Sequence, residues 1–505
     1  KEVVTSYRLR AWIDQDVDTN KLNAKAYSYK FRVNVNNDTT NSGGGSSVIE
    51  PLDNSGANAP ALLSNMIPVY YDETSSEWKK ASTTKGDTSN KWYNYDNKMW
   101  ANAVTVTETN RNTYLKAAAG TTIPMSDINT MWVWVPRYTY TYLYTNTPQE
   151  IKIKFESGTN STGTIKCVDA VTGTSSTSET CTDTTNNGLV ARTSTYTHPA
   201  FWWDKNDNNV REENEELTGI WVGKFEVSSD TTCTPSEKAA VGSGCNLQTI
   251  RPQIKPNVIS WRGAQVGTFF NGIYNMRESG NKYGFATTDE THMMKNMEWG
   301  AVTYLSHSKY GINKEVAINS ASTLTTGCGP QSEGSTSYGS TCNGYTTILG
   351  QSASTTGNVS GIYDLSGGSY EYVMGNMVLS DGQSMVGFET NNGNSEFTGL
   401  LFGGQSYTGT YAFPDKRYYD KYSYGTSNVE YTRGKLGDAT KEMSPNSSNN
   451  TWNLDYAYFA NSASSWFLRG GYYNGTTYAG IFNFSAASGS AGVNTSTRAV
   501  ISNLN

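Results

Sequence analysis

GIYDLSGGSYEYVMGN (Gly361–Asn376) is the stretch on which the reading of this chain turns. Its apolar and aromatic residues crowd around a Ser-Gly-Gly turn, a pattern of short strands entering and leaving a core. Segments of the same texture lie on both sides of it. Toward the C-terminus stand WFLRGG (Trp466–Gly471) and STRAV (Ser496–Val500). Toward the N-terminus stand HMMKNMEWGAV (His292–Val302), NVISWRGA (Asn257–Ala264), GIWVGKFEVS (Gly219–Ser228) and MWVWVPRYTYTY (Met131–Tyr142). Within GIWVGKFEVS a strand is expected over Ile220–Val227. The expected fold class is α+β, mostly β and loops. The best helix is Asp289–Gly311, with Asp289 as its cap and Met293, Met297, Val302 and Leu305 on one inward stripe.

Composition narrows the function. Charged residues make up 17% of the 505 positions, against about 25% in average proteins. Ser, Thr, Asn, Tyr and Gly must then supply the polar surface, as in secreted and structural proteins. The net charge is −6 and no run of Lys and Arg occurs, which argues against a nucleic-acid partner. No apolar run reaches the roughly 20 residues of a membrane span. The first residue is Lys1 rather than Met, so a leader, an anchor or further domains are expected beyond this chain.

Four regions are expected. Residues 1–36 hold two alternating segments, Tyr7–Asp14 and Ala26–Val35, which complete a sandwich or are donated to a neighbour, because two strands cannot form a core. Between them Asp14, Asp16 and Asp18 are weak calcium candidates, although the Gly and distal Glu of a calcium loop are missing and an acidic turn is the stronger reading. Residues 37–60 read as a Gly/Ser/Asn linker. Residues 61–128 read as a small aromatic-rich β module. Its Tyr and Trp residues either pack inward, the stronger reading, or stack on sugars. Residues 129–505 form the last domain.

The six cysteines fall into neighbouring pairs, Cys167 with Cys181, Cys233 with Cys245 and Cys328 with Cys342, each bracketing a Ser/Thr/Gly-rich stretch. None has zinc or redox C-x-x-C spacing. Three local disulfides are expected, which places the chain outside the cytosol; six buried free thiols are the competing reading.

Taken in order, the motifs from Met131 to Val500 resemble those of the formylglycine-generating-enzyme, or sulfatase-modifying-factor, family. GIWVGKFEVS is similar to that family's "GKYEVT" strand, Gly361–Asn376 to its "GLYDMSGNVWEWV", and Trp466–Gly471 with Ser496–Val500 to its closing "LRGGSW…GFR". The resemblance implies a C-type-lectin-like fold over 129–505. It also implies core roles for Trp299, Tyr370, Tyr372, Trp466 and Phe467, and structural roles for Arg469 and Arg498 with Glu371 as a candidate partner. Thr497 stands where the family has Phe. Tyr7–Asp14 and Ala26–Val35 weakly resemble closing strands of camelysin-type filament proteins.

The family's enzymes use a C-terminal cysteine pair that binds copper, and no Cys follows Cys342, so the resemblance does not carry catalysis. No G-x-S-x-G, H-E-x-x-H or Walker motif is present, and His198, His292 and His307 suggest no triad. No cofactor is expected beyond a possible structural calcium.

The same fold serves the variable proteins of diversity-generating retroelements, whose diversified segment lies between "RGG" and "FR". Here that interval, Tyr472–Thr497, has no charged residue and is rich in Tyr, Asn, Ser, Thr and Gly, the alphabet of antibody loops. The expected ligand-binding residues are Tyr472, Tyr473, Asn474, Thr477, Tyr478, Asn483, Ser485 and Asn494. Tyr418, Tyr419 and Tyr422 form an alternative patch. The expected function is binding of a protein or glycan at a cell or virion surface. The alternative is a structural subunit of an extracellular filament, self-associating through the N-terminal strands.

Overall fold

The aromatic run from Met131 folds as two strands, Ile128–Pro136 and Tyr138–Thr141, broken at Arg137. Arg137 is buried and binds Glu156 (2.8 Å) and Glu216 (2.5 Å), so the chain turns where a charge must be neutralised. The computed structural model describes residues 53–84, 91–141, 145, 147–163, 195–203, 213–231, 233, 244–377, 414, 416–444 and 449–502. The chain divides into two units, Lys1–Val48 and Ile49–Asn505. The strand segment 1–36, with Asp14, Asp16 and Asp18, lies outside the described residues, as do Cys167 and Cys181.

The described part is mostly short strands and loops with few helices. In chain order the first elements are β1 (Ile67–Asp72), β2 (Glu77–Lys80), β3 (Asn102–Val106), α1 (Glu108–Lys116) and β4 (Ile128–Pro136). A small sheet of β5 (Tyr138–Thr141), β6 (Ile153–Phe155) and β7 (Thr195–Thr197) follows, then β8 (Gly219–Gly223), α2 (Val266–Tyr274), β9 (Thr291–Met293) and α3 (Asn296–Ser306). Next come β10 (Cys328–Gly329), β11 (Asn343–Gly344) and α4 (Ile348–Ser352). The last strands are β12 (Tyr370–Tyr372), β13 (Gly375–Met377), β14 (Asp420–Tyr422), β15 (Trp466–Arg469), β16 (Phe484–Ala487), β17 (Thr495–Thr497) and β18 (Ala499–Ile501).

The main sheet runs β2-β1-β3-β4-β8-β18-β9, and a second runs β16-β15-β12-β17. This corrects the expected boundary at 128/129. β3 pairs with β4 from Asn102↔Val133 to Val106↔Ile128, so residues 61–128 supply one wing of the main sheet and not a separate module. The reason lies in β3 itself. All five of its residues are buried, and a buried strand needs a partner for its backbone groups on each edge. The C-terminal part of the expected linker is also fastened down. Asn58 Nδ2 donates to the carbonyls of Gly158 and Thr218, both at 2.9 Å.

Two further expectations shift. The helix begins at Asn296, not after Asp289, because His292 and Met293 are drawn into β9 by pairing with β18. Glu298 then accepts from the Lys295 backbone N–H at 2.8 Å and caps the start. All eleven residues of α3 are buried, so Met297, Val302 and Leu305 lie within a helix covered on every side. β8 stops at Gly223, short of Val227, because Lys224, Glu226 and Val227 bond to other segments.

Trp299, Tyr372, Trp466 and Phe467 are core; Tyr370 is only half-buried. Thr497 is buried, its hydroxyl donating to the Tyr372 carbonyl at 2.9 Å. Disulfides join Cys233 to Cys245 and Cys328 to Cys342. Among the described residues no helix is long and apolar enough to cross a membrane, and no group of His, Cys, Asp and Glu is arranged to hold a metal ion.

Candidate functional site

Two Gly pairs shape the end of the chain. Gly470 and Gly471 both adopt φ of +81°, a backbone that side chains rarely tolerate, and a Cβ on Gly471 would come within 2.6 Å of Ala479 Cα. The turn they make crosses the turn at Gly367 and Gly368. Gly367 N–H donates to the Gly470 carbonyl (3.0 Å), and Tyr473 N–H donates to the Gly368 carbonyl (2.9 Å). The segment after β15 is thereby laid against β12.

Beneath the segment, α3 and a buried carboxyl hold it. Trp299 Nε1 donates to the Ile481 carbonyl at 2.9 Å, and the Asp455 carboxyl accepts from Phe482 N–H at 2.9 Å. Burial raises the Asp455 pKa well above the usual carboxylate range. Arg469 is fully buried and hydrogen-bonds to Asn296 and to the Asp438 and Ala439 carbonyls. Burial pulls its pKa down to about 10. Arg498 binds Glu371 directly.

On this support sits an open depression of about 860 Å³. One wall is a parallel stack of Tyr370 and Tyr472, with ring centroids 5.8 Å apart and planes 8° apart. Across it, Tyr456 and Tyr478 meet edge to face at 6.5 Å. Asn449, Asn450 and Asn474 supply amides, and none of the lining residues is charged. Burial, reinforced by the neighbouring Tyr473 and a hydrogen bond to it, raises the Tyr472 pKa above the usual phenol range. Thr476, on the rim, holds φ at +53°, an uncommon conformation for a β-branched residue.

The residues singled out from the sequence divide. Tyr472, Asn474 and Tyr478 line the depression, and Tyr478 is 54% exposed. Thr477 is exposed on the same short turn. Asn483 also lines it but is buried, and its Nδ2 donates to the Tyr478 carbonyl at 2.8 Å, which fixes the loop. Tyr473 points aside, edge-on to Tyr472 and to Tyr338 of the Cys328–Cys342 loop. Ser485 sits in β16 opposite Leu468, and Asn494 accepts through its backbone carbonyl from Tyr370 N–H. Neither lines the depression.

No family model and no curated protein matches this chain.

Sequence reasoning missed Tyr370, Tyr456, Asn449 and Asn450. Tyr370, for which the resemblance implies a core role, stands half-buried at the start of β12, where the core ends. The alternative patch of Tyr418, Tyr419 and Tyr422 is buried and presents no surface.

Proposed function

We propose that this chain is an extracellular surface protein that binds a protein or glycan ligand, without catalysis, through the depression beside Tyr472. Its scaffold is a domain of the C-type-lectin-like, formylglycine-generating-enzyme type, used as in the variable proteins of diversity-generating retroelements. The observation that carries this reading is the pairing of stacked Tyr370 and Tyr472 with exposed Tyr478 around an uncharged, amide-rimmed hollow. Tyr rings offer large contact area with few torsions to freeze, and Asn amides adapt their hydrogen bonds to a partner. The two disulfides support an oxidising location.

The test is a Tyr472→Ala/Tyr473→Ala/Tyr478→Ala chain, assayed for retention on glycan arrays and on cell surfaces that hold the unmodified protein. Buried Tyr anchors contribute about 2 kcal/mol or more each, so retention should collapse while the melting temperature barely moves. Unchanged retention would remove the site from this face.

A further inference from the structure

The tyrosine wall of the depression continues past its rim. Tyr472 meets Tyr473 at 4.3 Å between ring centroids, and Tyr473 meets Tyr338 at 5.5 Å, both edge to face. With the Tyr370–Tyr472 stack at 5.8 Å, four rings stand in one row that leaves the hollow and ends on the Cys328–Cys342 loop. The row is open to solvent. Tyr338 is 55% exposed, and Tyr370, Tyr472 and Tyr473 are each partly exposed.

A single exposed Tyr is ordinary on a protein surface. Tyr338 differs because its loop is tied down on both sides. Gly339, the next residue, donates its N–H to the Ser320 carbonyl (3.1 Å), and its carbonyl accepts from Ser322 N–H (2.8 Å). Gln331 Nε2 donates across the loop to the Thr341 carbonyl (2.8 Å), and the disulfide closes the base. The ring is thus exposed on a fixed backbone, in line with rings that already wall a hollow. A partner that covers it has little loop freedom to freeze on binding.

Charge and shape narrow the occupant. The lining of the hollow carries no charged side chain, and Glu333 is the one charged residue between Cys328 and Cys342. An anionic chain would meet a carboxylate there and no cation. Arg262, which interacts with Tyr472, does not line the hollow and donates to the Val493 carbonyl. The amides of Asn449, Asn450 and Asn474 both donate and accept, as hydroxyl groups do. A folded partner of standard interface size would overhang the hollow and leave its floor empty, whereas a chain can fill it and continue along the row. We infer that the depression and the row of Tyr370, Tyr472, Tyr473 and Tyr338 together bind a neutral oligosaccharide of several units, the first units in the hollow and the outer ones against Tyr473 and Tyr338. The inference rests on the binding function proposed for the depression and names the class and length of its ligand.

The experiment titrates the full chain calorimetrically with disaccharides and hexasaccharides of the malto, cello, laminari, manno and chito series, and with hexagalacturonate as the anionic probe. At least one neutral hexasaccharide should bind saturably and more tightly than its disaccharide. Tyr338→Ala should raise the hexasaccharide Kd about tenfold, the loss of roughly one good contact, and the disaccharide Kd by less. Tyr338→Phe keeps the ring and should stay within about twofold of the wild type. Tyr478→Ala, inside the hollow, should weaken both lengths. Tyr338 is exposed, so its variants should keep the wild-type melting temperature. The inference is overturned if Tyr338→Ala leaves the hexasaccharide Kd unchanged or shifts both lengths equally. In that case a loss in Tyr478→Ala would still uphold the depression as a site, and no loss would remove it too. The inference is equally overturned if hexagalacturonate binds more tightly than every neutral hexasaccharide, or if no neutral oligosaccharide binds. If none binds while the Tyr472/Tyr473/Tyr478 triple variant still loses retention on cells, the depression is a site for protein.

Discussion

Arg498 and Glu371 form a buried ion pair, Nε to Oε2 at 3.0 Å, that ties the four-stranded sheet to the seven-stranded one. Glu371 lies in β12, and Arg498 is the single residue between β17 and β18. Arg498 also donates to the carbonyls of Gly223 (2.8 Å) and Tyr363 (2.9 Å). Replacing it with Met strands a buried carboxyl and two carbonyls. Arg498→Met is expected to cost about 3–5 kcal/mol, read by denaturant unfolding. A cost below about 1 kcal/mol would show that the pair does not hold the sheets together.

Glu371 also carries a pH signature. Burial pushes its pKa up to about 7, with the Asp364 carboxylate adding to the rise and Arg498 opposing it. A folded-state pKa above the unfolded one means that the folded protein holds the proton longer. The stability contributed by this group is therefore full below the ordinary Glu range and falls as pH rises toward about 7. Glu371→Gln removes that dependence. Between about pH 5 and pH 7.5 the wild type should lose more stability than the variant. Parallel stability curves would contradict the assignment.

The disulfide between Cys328 and Cys342 closes the loop that carries Tyr338 against Tyr473. Cys328→Ser/Cys342→Ser should lower stability by about 3 kcal/mol through the freed chain entropy. Alkylation of the unreduced protein should leave Cys233, Cys245, Cys328 and Cys342 unlabelled, as intact mass and peptide mapping would show.

Thr476 offers a test of strain at the depression. Its left-handed backbone suits Gly better than a β-branched residue. Thr476→Gly is expected to gain about 1 kcal/mol despite the added freedom of the unfolded chain, whereas Thr476→Val should gain nothing. A destabilised Gly variant would mean that the Thr476 side chain holds the rim through contacts that outweigh the strain.

What the sequence determined by itself was local. Dense aromatic and β-branched runs marked β4, β5, β8, β12 and β15, because strand formation follows side chains only a few residues apart. Nearby cysteines marked two of the disulfides, and the order of the motifs, through the resemblance they carry, offered Glu371 as a candidate partner for Arg469 and Arg498, of which the fold pairs it with Arg498. The tertiary structure decided what depends on distant partners. β3 joined β4 because its buried edge needed pairing, so a region that read as a separate module became part of the main sheet. Tyr370 and Tyr372 look alike in the sequence, yet one lines an open depression and the other is core. The difference lies in Tyr472 and the Gly470–Gly471 turn, about a hundred positions further along the chain. Asn102 became an acceptor without a donor only because the carbonyls of Trp100 and Ser360 took both hydrogens of its amide. Hydrogen-bond satisfaction is a property of assembled neighbours, and no local pattern of residue types carries it.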